Sequence, residues 1–126
     1  MLVKKIFFLI IFISISCSAY ANTPKSTGKY KNWESFTVIT EQGKICFAQT
    51  IPTKRAPSSI QREKSKLFVT FRPSESIKDE VSLTSGHEYK SSTVTASSGK
   101  KRYSFFSQKN FAWLLDDQEE KNFIKL

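Results

Sequence analysis

Apolar residues divide this chain into three unlike stretches. Residues 6–13 are apolar without interruption, and Ile15 extends the run. Residues 22–31 are almost wholly polar, with Pro24 and Gly28 among them. From Trp33 onward the apolar positions fall in short runs that alternate with polar ones, the period of half-buried strands. Phe36, Val38 and Thr40 alternate with Ser35, Thr37 and Ile39, Glu41-Gln42-Gly43-Lys44 makes a turn, and Ile45 to Gln49 returns, predicting a hairpin over about 35–50. Lys66 to Arg72 is the clearest strand: Phe68, Thr70 and Arg72 share one face, Leu67, Val69 and Phe71 the other, and Pro73 ends it.

Val81 to Thr84 predicts a short strand, and residues 92–97 and 101–107 flank Ser98-Gly99-Lys100 as a second hairpin. Phe111 to Leu115 predicts a further short strand or a segment docked on the core. Asp116 then stands as an N-cap, with Asp117, Glu119 and Glu120 in the first turn of a helix that runs to Leu126, where no Gly, Asn or Pro closes it. The fold expected is mainly β: an antiparallel sandwich or open barrel of about six strands with one C-terminal helix. Trp33, Phe36, Val38, Cys46, Phe68 or its neighbours, Val81, Leu83, Phe105 and Trp113 are its expected core.

The N-terminal run changes the picture from fold to place. Lys4 and Lys5, the apolar run, and then Ala19-Tyr20-Ala21 before Asn22 have the order and lengths of a cleavable secretory signal. The run is too short for a spanning helix, which needs about 20 apolar residues. The expected organisation is a signal peptide over 1–21, a flexible leader over 22–31 and a single β-rich domain over 32–126. The product is expected in the periplasm or envelope, or secreted, with no membrane span after cleavage. Cys17 lies where a lipid-modified cysteine can stand, but Ser14 occupies the place usually taken by an aliphatic residue.

Charge points to the class of partner. The chain of 126 residues carries a formal net charge of +9; without Lys4 and Lys5 about +7 remains, an excess that favours acidic partners. Lys54, Arg55, Arg62, Lys64 and Lys66 gather in or beside the long loop Ile51–Ser65, and Lys100, Lys101 and Arg102 at the second hairpin turn. The loop cluster is the candidate binding site, for an envelope protein or an anionic surface. Export removes the chain from most nucleic acid, and Phe105 and Phe106 read more simply as core than as a stacking platform.

Candidate chemistry is sparse. His87 is the one histidine and Cys46 the one cysteine beyond the signal, so no disulfide forms within the mature chain and no metal-ligand cluster is legible. Apolar flanks predict a buried, inert Cys46. Ser97-Ser98-Gly99-Lys100 matches a Ser-x-x-Lys string, but across a hairpin turn instead of at a helix start. No Gly-rich phosphate loop or cofactor motif is present, and the carboxylates of 116–120 read as a helix start. A non-enzymatic protein is expected; the alternatives are a small exported hydrolase using Cys46 and His87, or a decayed reading frame.

Taken in order, Lys31-Asn32-Trp33-Glu34, Gly43-Lys44-Ile45-Cys46, Leu67-Phe68-Val69-Thr70-Phe71-Arg72-Pro73, the Val81 strand, Gly99-Lys100-Lys101 with Phe105, and Ala112-Trp113 with Asp116 resemble the invasion-associated locus B family of exported alphaproteobacterial proteins, over about residues 30–126. The resemblance implies an all-β, envelope-associated domain and carries no catalytic residues. Relatives continue past the helix into further strands, so the resemblance also implies a chain truncated at its C-terminus.

Overall fold

The computed structural model describes residues 22–126; the expected signal peptide, with Cys17, lies outside the described residues. Eight strands and one helix follow in the order β1 (Lys25–Tyr30), β2 (Trp33–Thr40), β3 (Gly43–Thr50), β4 (Lys66–Arg72), β5 (Ile77–Thr84), β6 (Thr93–Ser98), β7 (Lys101–Gln108), β8 (Phe111–Trp113) and α1 (Asp117–Ile124), with a 3-10 turn at Pro73–Glu75. The protein is mainly β. All eight strands join one open antiparallel sheet in the order β1-β2-β3-β4-β5-β8-β7-β6. The first five form a meander; the β6–β7 hairpin is laid at the far edge, and β8 fills the space between β5 and β7.

The two hairpins predicted from sequence, β2–β3 and β6–β7, stand where glycine and turn residues place them. Gly43 (φ 121°) and Gly99 (φ 59°) take the left-handed conformations that tight returns need. β4 ends at Arg72, before Pro73. Asp116 caps α1, its carboxylate accepting the Glu119 N–H at 2.8 Å.

The register divides the sheet into two faces. Leu67, Leu83 and Ala112 lie opposite one another across β4, β5 and β8, as do Val69 and Val81. Leu67, Val81, Leu83 and Ala112, with Tyr103, Phe105 and Leu114, build the core against α1. Phe123 of the helix meets Tyr103 and Phe105 edge-on at 5.1 and 5.8 Å. The sheet curls around this helix. Trp33, Ala48, Leu67 and Val69 from one half and Ala96, Ser97 and Ser98 of β6 from the other line a single cavity with Phe123, Ile124 and Leu126.

Several expectations are corrected. The leader over 22–31 contains β1, whose side chains are all exposed. Backbone pairing with β2 holds it, helped by Ser26 donating to Glu34 Oε1 at 2.7 Å and a Thr27–Ser35 hydroxyl contact at 2.9 Å. A strand held this way leaves no apolar alternation to read. Of the two antiparallel forms expected, the single open sheet is the one present, with eight strands instead of about six, because every strand finds its partner in the same ladder. The helix ends at Ile124 instead of Leu126. The expected core mixed two faces: Val81 and Phe105 are buried, whereas Phe36, Val38, Phe68 and Trp113 stand half-buried on the face away from α1.

Candidate functional site

Among the described residues, that second face carries an apolar groove with no helix over it. Alternation along β2, β3, β4 and β8 brings Phe36, Phe47, Phe68, Phe111 and Trp113 to the same side. Their rings run in sequence across the sheet. Phe36 stacks on Phe47 at 5.1 Å, Phe47 meets Phe68 and Phe68 meets Phe111 at 6.2 Å each, and Phe111 stacks on Trp113 at 6.0 Å. Phe111 remains 40% exposed, and Phe106, paired with Trp113 on β7, 47%.

Between the rings lies a groove of about 400 Å³ whose lining residues all belong to strands, so no described loop or helix covers it. Its polar groups are Thr70, Ser82 and the pair Arg72–Glu80, 3.1 Å apart. Glu75 lies 3.8 Å from Arg72 on the other side. Arg72 Nε is buried and has no acceptor among the described residues. An apolar groove with a few converging polar groups is the usual form of a binding site. The rings narrow the choice of ligand. Phe36 and Phe47 are inclined by 15° and Phe111 and Trp113 by 30°, so these rings spend their faces on each other. Such a stripe suits apolar side chains of a protein better than flat stacking by sugars or bases.

The basic loop divides into two kinds of residue. Arg55 donates to the carbonyls of Arg62 (3.4 Å) and Glu63 (2.8 Å), and Arg62 donates to Ala56 O at 3.0 Å. These two arginines close the loop on itself. Lys54 and Lys64 are exposed, and Lys66 is half-buried at the start of β4. Lys66 shares the face of Phe68 and Arg72, at the end of the groove's strand. The loop is also pinned from outside, Glu63 N–H donating to Gly86 O at 3.2 Å.

Cys46 and His87 are not brought together as partners. The Cys46 thiol, half-buried instead of buried as its flanks suggest, touches the Thr37 hydroxyl at 3.8 Å. His87 is exposed, packs on Tyr89 and sets Nδ1 3.3 Å from Ser85 O. Ser97 and Lys100 straddle the β6–β7 turn, so they do not form a helical Ser-x-x-Lys site. Among the described residues no group of three or more His, Cys, Asp or Glu is placed to hold a metal ion.

In the sequence Glu120 reads only as part of a helix start, yet it is buried and reaches β5. Its Oε1 accepts the Val81 N–H at 3.2 Å. Burial raises its carboxyl above the ordinary carboxylate value; Asp117, Glu80 and Asp79 push the same way, and the Val81 N–H pulls against them. The cleft beside it, about 480 Å³, is rimmed by these acids and by Lys78 and Lys121. With one oxygen committed to the backbone of β5, Glu120 serves to join helix to sheet.

In comparison with known proteins, no family model, no curated protein and no solved structure matches this chain. No helix of the described residues is long and apolar enough to cross a membrane.

Proposed function

We propose that this is an exported, non-enzymatic binding protein of the bacterial envelope, of the invasion-associated locus B type, which engages a protein partner through the helix-free face of its sheet. The observation that carries the reading is the uncovered run of aromatic rings in a groove made only of strands. An apolar surface this continuous is a usual mark of an interaction site. Aromatic residues also dominate the energetics of protein interfaces.

The exposed rings permit a clean test. Phe106→Ser with Phe111→Ser removes apolar area from the face without touching the core against α1. Binding of the purified protein to a solubilised envelope fraction is expected to weaken about tenfold or more in that variant. Lys54→Ala with Lys64→Ala is expected to leave it unchanged. A second reading, contact with an anionic surface, is favoured by the exposure of Lys54 and Lys64. It predicts salt-sensitive sedimentation with phosphatidylglycerol vesicles, lost when the lysines are replaced. Retained envelope binding in the phenylalanine variant, lost in the lysine variant, transfers the function from groove to loop.

A further inference from the structure

β1 and β6 are the two edges of the sheet, so the curl stays open. The space left between its halves is a cavity of about 570 Å³. Trp33, Leu67 and Val69 form one wall, β6 the other, and Phe123 reaches in from the end of α1. Ala48 and Ala96, in the two walls, are short enough to leave room between them. Ile124 and Leu126, 43% and 56% exposed, stand at the mouth. The volume lies in the range of small-molecule sites, about 300–1,000 Å³. No residue of this lining belongs to the groove on the helix-free face.

The hydroxyls of the lining are those of Ser97 and Ser98, at the turn end of β6. The register carries this polarity into charge. Val94, Ala96 and Ser98 pair with Phe105, Tyr103 and Lys101, and residues opposite one another share a face. Val94, Ala96, Tyr103 and Phe105 pack toward α1, so Lys101 completes the same row on the cavity side. Lys100 stands in the adjoining turn, whereas Arg102 pairs with Ser97 and belongs to the other face.

The opposing charges are few. β6 and β7 contain no carboxylate, and the acids of α1 lie in its first turn, away from the mouth. In the 126-residue chain the Leu126 carboxylate and the carbonyl end of α1 face the two lysines, and Lys125 adjoins and offsets them. Lys100 and Lys101 therefore remain in excess. An apolar cavity with a cationic mouth fits a hydrocarbon chain that ends in one anion.

We propose that the cavity beneath the end of α1 binds the hydrocarbon chain of one free long-chain fatty acid, with Lys100 and Lys101 holding its carboxylate at the mouth. This site is separate from the aromatic face and stands or falls independently of it. The protein has two tryptophans; Trp33 lines the cavity and Trp113 the helix-free groove. In the Trp113→Phe protein, palmitate brominated in mid-chain should quench Trp33 fluorescence saturably, at one molecule per chain. By calorimetry with palmitate, Ala48→Phe fills the cavity and should weaken binding tenfold or more. Lys100→Gln with Lys101→Gln should weaken it about tenfold. Hexadecylamine, an ammonium in place of the carboxylate, should bind at least tenfold more weakly than palmitate. Phe106→Ser with Phe111→Ser should bind palmitate as the native protein does. Unquenched Trp33 overturns the proposal, as does native affinity in Ala48→Phe or in the lysine variant, or equal affinity for the amine. Loss of binding in the phenylalanine variant moves the chain to the aromatic face and also overturns it. If Ala48→Phe does not fold, the quenching and the lysine variant decide. Quenching by vesicles of brominated phosphatidylglycerol, but not by the free acid, assigns the cavity to a membrane lipid and overturns it too.

Discussion

At the residue scale, Glu120 shows how one side chain ties two elements and leaves a pH signature. Val81 is fully buried. Its N–H is satisfied by the Glu120 carboxyl, because the backbone contact to the segment after β8 runs the other way, Leu114 N–H donating to Val81 O at 3.1 Å. Glu120→Ala leaves that donor without an acceptor and is expected to lower stability by about 1–3 kcal/mol in denaturant titration. Glu120→Gln keeps an acceptor and should be far milder. The carboxyl is raised above its ordinary value of 4.5 chiefly by burial, so the folded state holds its proton more tightly than the unfolded chain. Its contribution is therefore fully present below the unfolded value and is lost as pH rises through the raised folded value. The stability of the native protein relative to Glu120→Gln should fall across that window; a difference independent of pH would show that the carboxyl does not titrate there.

At the element scale, Gly86 and the long loop depend on one another. A Cβ on Gly86, held at φ 77°, would stand 1.9 Å from the Glu63 carbonyl oxygen. The loop can therefore lie where it does only against a glycine. Gly86→Ala should release the segment 51–65, speeding proteolysis within it and costing about 1–3 kcal/mol. Cleavage at the native rate would contradict the docking. Asp116→Ala should cost about 1 kcal/mol through the lost cap. Asp116 was legible in the sequence because capping is local chemistry, and Gly43 and Gly99 marked both hairpins for the same reason. β1 was not legible, since an edge strand of exposed polar residues rests on its neighbour's backbone. Nor was the role of Arg55 and Arg62 as loop staples: their charge is visible in sequence, but their acceptors are carbonyls chosen by the path of the chain.

At the scale of the whole molecule, the sheet has one covered face and one open face, and the sequence could not distinguish them. Lys66–Arg72 alternates Phe68 against Leu67, Val69 and Phe71, a strand apolar on both sides, and alternation alone assigns neither side to the core. Only the placement of α1 decides, putting Phe123 over Tyr103 and Phe105 and leaving the half-buried rings from Phe36 to Trp113 without a helix over them. The candidate site was thus present in the sequence as residues but distributed over four strands, and the basic loop stood out instead because its members are close along the chain. In the proposed function, the face without a helix meets a protein. The most direct measurement places a photo-crosslinking phenylalanine analogue at Phe111 on that face and, separately, at the exposed Asn122 of α1 on the other, with irradiation in the expressing cell. A discrete protein adduct from position 111 and none from 122 is the predicted result; no adduct from 111, or the same adducts from both, would contradict it.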